Sequence, residues 1–176
     1  MKHFGILLLS FFLSACNSET KSDNDLNHSE AIKSQAEKMC QLLLKKDFSA
    51  FADFTYPKVI ELMGGKEKMV EIMENGSKQM ESEGTVFLNV TLGEPSEIVT
   101  NGNELQCTVP QTIQMKVPNG KLVSKSTLIA ISSDKGKNWF FIDTSGKDIQ
   151  TMNSILPNIS LELVLPVSEE PVFYKD

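Results

Sequence analysis

The stretch Leu105-Gln106-Cys107-Thr108-Val109-Pro110-Gln111-Thr112-Ile113-Gln114-Met115-Lys116-Val117 decides the fold. In it, Leu105, Cys107, Val109, Ile113, Met115 and Val117 alternate with Gln106, Thr108, Thr112, Gln114 and Lys116. Successive side chains of an extended chain point to opposite faces, so the pattern specifies a long, half-buried antiparallel strand. Pro110 has no backbone N–H to give and is expected to mark a bulge or bend. Asn119-Gly120 is a strong hairpin signal, and the chain should return as a strand over Leu122 to Ser132. A turn at Asp134-Lys135-Gly136 then leads into another strand, Trp139 to Asp143.

Working upstream, Val86, Leu88, Val90 and Leu92 are expected on one strand face and Phe87, Asn89 and Thr91 on the other. A short strand over Glu97 to Thr100 fits between Pro95 and Asn101-Gly102. Before Gly84 the period is helical. Ile32, Ala36, Met39 and Leu43, widened by Cys40 and Leu44, form one buried stripe of a helix that Ser29 should cap. Asp47 starts a short helix through Phe48, Phe51 and Phe54, which ends near Tyr56 because Pro57 disfavours helix in the residue before it. Val59 to Met63 adds a turn or two, closed by Gly64-Gly65. A longer helix over Lys66 to Ser82 carries Met69, Ile72, Met73 and Met80 on its apolar side; with Met63, these methionines either pack in the core, the default at helical spacing, or form an adaptable partner groove. Thr144 or Ser145 caps a last helix from Lys147 to Ile155. Residues 157–176 show no periodicity and should lie extended on the domain, fraying at the end. The expected fold class is α+β, with N-terminal helices packed on a curved antiparallel sheet.

The N-terminus has a basic start at Lys2, an apolar run from Phe4 to Leu13, and small residues Ser14 and Ala15. That is the layout of a secretory signal. It is too short to span a bilayer, which takes about 20 apolar residues. Leu13-Ser14-Ala15-Cys16 resembles the lipobox of bacterial lipoproteins. The resemblance implies cleavage before Cys16, acylation of that cysteine, and a stable hold on the lipid bilayer from chains worth about 0.8 kcal/mol per buried methylene. Residues 1–15 would then be the signal, 16–29 the lipidated cysteine and a flexible tether, 30–156 the globular domain and 157–176 the extended segment. Asn17 is not the aspartate that retains enteric lipoproteins at the inner membrane, so the same resemblance points to the outer membrane.

With 17 basic and 23 acidic residues the net charge is −6, and it becomes −7 once Lys2 leaves with the signal. This balance argues against nucleic acid as a partner. Every basic residue is lysine, so no planar fork is present for bidentate capture of carboxylate or phosphate. The only histidines are His3 and His28, which leaves none in the expected folded part. Histidine-based triads and zinc sites therefore have no donor there, and the sequence points to no catalytic group, metal or cofactor.

Asp47-Phe48-Ser49-Ala50-Phe51-Ala52, Tyr56-Pro57, Gly64-Gly65 and Trp139-Phe140-Phe141-Ile142-Asp143, set in an order of helices followed by a long sheet, resemble the nuclear-transport-factor-2-like, or cystatin-like, α+β domains. The resemblance covers Ser29 to Ile155 and implies a cone-shaped domain whose sheet closes around its helices. Enzymes, ligand binders and interaction modules share that fold, so it does not choose among them. Catalytic members place a His or Asp dyad inside the cone, and this chain has no histidine to put there. The expectation is a non-enzymatic envelope lipoprotein that binds a small apolar ligand or an envelope protein. The alternatives are an enzyme using Asp53 or Asp143 as base, and a structural accessory subunit.

Cys40 and Cys107 both fall on apolar faces. Either they form a disulfide, which an oxidising compartment permits, or each is a small buried hydrophobe. Gln111 is the polar residue in the inward register of the long strand. It either offers a donor and an acceptor to a pocket or is turned at Pro110 to solvent or backbone. Asp53, Tyr56 and Asp143 are candidates for the same pocket mouth, and each can equally serve a helix end, a turn or the surface.

Overall fold

A computed structural model describes residues 23–176. The signal, Cys16 and the first part of the expected tether lie outside the described residues. The chain forms helices α1 (Asp23–Leu44), α2 (Phe48–Ala52), α3 (Pro57–Leu62) and α4 (Lys66–Ser82). Strands β1 (Val86–Leu92), β2 (Val99–Asn101), β3 (Glu104–Val117), β4 (Gly120–Ser132) and β5 (Phe140–Asp143) follow, then helix α5 (Ile149–Ile155) and strand β6 (Val172–Lys175). The result is α+β, with one open, six-stranded antiparallel sheet. Among the described residues, no helix is long and apolar enough to cross a membrane.

The β3–β4 hairpin is the spine. Its register runs unbroken from Leu105↔Ser132 to Val117↔Gly120, through Pro110↔Thr127, so Pro110 makes no bulge in this pair. The missing N–H falls on the other edge of β3, in the interval between β2, paired at Glu104–Gln106, and β1, paired from Gln111 onward. There the Pro110 carbonyl accepts from Gly93 N at 2.8 Å, and no ladder bond is lost. On the far edge of β4, β5 pairs with Leu128–Ile131 and β6 with Gly120–Val123. The end of the chain therefore does not fray, and its pairing fits only because Gly120 lacks a Cβ, which would sit 2.2 Å from the Tyr174 carbonyl.

β1 departs from strict alternation. A register shift between Phe87 and Asn89 opposes Phe87 to Met115 and Val90 to Ile113, which puts Phe87, Val90 and Leu92 on the helix side. Leu88 is turned out and is 51% exposed. A bulge adds one residue to one strand and so inverts the pattern on one side of it.

α1 also starts upstream of the expected Ser29 cap, and residues 23–29 are helix rather than tether. Tertiary contact explains the extension. The His28 ring meets the Trp139 ring edge-on at 6.3 Å between centroids, and a Cβ on Gly136 would come within 2.5 Å of His28. The folded part thus does contain a histidine. Gln35 fixes the same contact by accepting from Trp139 N at 2.9 Å.

Two cores result, one on each face of the sheet. On the helix side, Ile32, Ala36, Met39 and Cys40 pack on Cys107, Val109, Leu128, Ala130, Trp139 and Phe141. On the other, Ile129, Ile131 and Ile142 pack under Met152, Leu156, Ile159 and Leu163. The second covering corrects the reading of β3 as polar toward solvent: Gln106 is 0% exposed. Its amide donates to the Asn158 carbonyl at 2.7 Å and accepts from Ser160 N at 2.9 Å.

Candidate functional site

The candidate site lies between the helices and the sheet. α1 supplies Met39, Cys40 and Leu43 from successive turns of its apolar stripe, α2 supplies Phe51, α3 Val59 and α4 Met69. Ile113, Leu128 and Phe141 form the sheet wall. The cavity measures about 220 Å³, room for a small molecule only. The helices are held off the sheet by their linker. Phe54 O accepts from Phe141 N at 2.8 Å and Tyr56 N donates to Phe141 O at 3.1 Å, so the segment between α2 and α3 pairs with the outer edge of β5.

Gln111 and Asp143 stand together at the rim. Gln111 keeps the inward register, is 6% exposed, and donates from Nε2 to Ser126 Oγ at 2.8 Å and to Asp143 Oδ2 at 2.6 Å. Ser126 is its direct partner across the β3–β4 ladder. Among the described residues, no group donates to Gln111 Oε1. Asp143 ends β5, is exposed, and takes Ser145 N on Oδ1 at 2.6 Å. The site therefore presents an apolar floor, acceptors on Gln111 and Asp143 at the rim, and the Thr55 hydroxyl, which can donate or accept.

Cys40 and Cys107 belong to the helix-side core and are free thiols, both buried. Burial pushes the Cys40 thiol up to about 11, helped by the charges of Glu37 and Asp143, and pushes Cys107 up to about 12. Both stay protonated at neutral pH, the form that neither attacks nor binds metal. Among the described residues, no three His, Cys, Asp or Glu side chains converge to hold a metal ion.

The other two candidates go elsewhere. Asp53 is exposed and pairs with Lys66 across the α2–α4 contact. Tyr56 faces the opposite core, where its hydroxyl donates to Glu104 Oε1 at 2.9 Å and accepts from Asn158 Nδ2 at 2.7 Å. Sequence reasoning missed Thr55 and the wall made by Phe51, Val59 and Met69, which read as core. Their helical spacing was visible, but a cavity in front of them leaves no mark on a periodic pattern. No protein-family model matches the chain, and no curated protein matches it.

Proposed function

We propose that this chain is an exported, lipid-anchored envelope protein whose domain binds a small, largely apolar ligand without transforming it. The observation that carries the reading is the cavity: an apolar space between helices and sheet, with convergent polar groups confined to one rim. That is the ordinary design of a small-molecule site. Binding is favoured over chemistry because Asp143, the one carboxylate at the cavity among the described residues, is exposed and already engaged by Gln111 and Ser145. A base set to work there would be expected in a desolvated position. We read the helices over one sheet face as the cone-shaped, nuclear-transport-factor-2-like arrangement, with the cavity as its interior. The lipobox-like Leu13-Ser14-Ala15-Cys16 supports the anchor, which places the domain in the envelope, at the outer membrane by the Asn17 criterion.

Native mass spectrometry of the full chain, extracted from membranes in mild detergent, tests both halves. The expected species starts at an acylated Cys16 and carries a further, dissociable mass. That mass should be reduced in Cys40→Met, whose longer side chain takes up part of the cavity. An unmodified N-terminus would overturn the anchor, and a chain that never carries extra mass and takes up no small apolar probe would overturn the binding site.

A further inference from the structure

Resting on the cavity being a ligand site, we infer that its ligand carries a protonated amine on a small apolar body. Two acceptors belong to the rim residues: the Asp143 carboxylate, and Gln111 Oε1, to which no described residue donates and which is not among the atoms closed off from solvent without a partner. The Gln111 amide that a carboxylate or carbonyl ligand would use is already given to Ser126 and Asp143, which leaves the neutral Thr55 hydroxyl as the lining donor. Among the described residues, no lysine lines the cavity. The lysines adjacent in sequence to lining residues, Lys38, Lys58 and Lys68, are all exposed, with Lys38 standing over the Phe54 ring and Lys68 paired with Glu71.

Each ligand class meets this rim differently. An anion finds a carboxylate and no cation to offset it. A neutral alcohol can give one hydrogen bond. An ammonium group has three donors and a charge, so it can satisfy Gln111 Oε1 and Asp143 together through charge-assisted bonds. The net charge of −6 favours the approach of a cation. The floor sets the size. A cavity of about 150 Å³ holds one benzene ring, so 220 Å³ admits a single ring with a short alkyl arm.

Calorimetric titration of the full chain at neutral pH with 2-phenylethylamine, 2-phenylethanol and 3-phenylpropionate separates the classes. The amine should bind about tenfold tighter than the alcohol, and the carboxylate should not bind measurably. Asp143→Asn should abolish the amine's advantage over the alcohol. If that variant does not fold, the order of the three probes on the native chain decides alone. An alcohol that matches the amine, a carboxylate that binds, or an undiminished amine preference in Asp143→Asn overturns the amine assignment and leaves the cavity reading standing. Failure of all three probes, together with no retained mass on the native chain, overturns both.

Discussion

On β4, Leu128 and Ala130 face the helices while Ile129 and Ile131 face α5 and the segment after it, and all four side chains are almost wholly buried. The same strand is therefore covered twice, but by different means. The C-terminal side is closed with a polar clamp. Asn158 gives its amide to Tyr56 and Glu104, Glu104 also holds Gln106, and Gln106 receives Ser160 N. Every member of the clamp but Asn158 Oδ1, which is buried without a partner, is held by another, and a broken bond would strand a further buried polar group. On the helix side the described side-chain cluster of Gln111, Ser126 and Asp143 stands at one rim, and the helices stand over a cavity. One face, the back, is tied by side-chain hydrogen bonds, and the other, the front, stands over the cavity where we propose that a ligand binds.

The largest expected contrast pits the two thiols against each other. Cys107 is 0% exposed and lines no part of the cavity, whereas Cys40 lines it. Cys107→Met should cost about 1–3 kcal/mol through overpacking, and Cys40→Met less than about 1 kcal/mol because the added atoms enter empty space. Urea midpoints check this, and equal costs would remove the distinction between front and interior. Next in size is the clamp. Tyr56→Phe should cost about 1 kcal/mol at neutral pH. Burial, with the Glu104 carboxylate adding to it, pushes the Tyr56 hydroxyl up to about 12 from an ordinary 10.0. The folded state holds that proton more tightly than the unfolded one, so the stabilisation is complete below pH 10 and is lost as pH rises toward about 12. The native chain should lose stability over that window relative to Tyr56→Phe, as denaturation at stepped pH will show.

The back was hard to read in the sequence and the front easier, for physical reasons. β3, the Asn119-Gly120 turn and α4 announce themselves because period and turn chemistry are local properties. The sixth strand does not. Val172–Lys175 is a strand only because β4 offers it an edge, and a strand made by its partner leaves no period of its own. Gln106 and Thr108 were legible as the polar face of β3, but not as the inner layer of a second core, since that depends on where Pro157 to Leu163 lands. The start of α1 was hidden likewise, because its polar residues become helical through the contact of His28 with Trp139. At the site, Gln111 stood out as a polar residue in an apolar register. Its pairing with Asp143 follows from β5 lying next to β4, which no local pattern encodes.

The smallest expected effect is the most selective test of which side chains β1 gives to the front. With unbroken alternation, Leu88 would share a buried face with Val90 and Leu92, and Leu88→Ala would cost about 2–5 kcal/mol. With the register shift, Leu88 is half in solvent and Phe87 turns toward Leu43 and Met80 instead. Leu88→Ala should then change stability by no more than about 0.5 kcal/mol. A chemical-denaturation midpoint close to that of the native chain fits the bulge. A loss above about 2 kcal/mol would mean that β1 runs in strict alternation, with Phe87 turned outward and the packing of α1 and α4 over this end of the sheet rebuilt around Leu88.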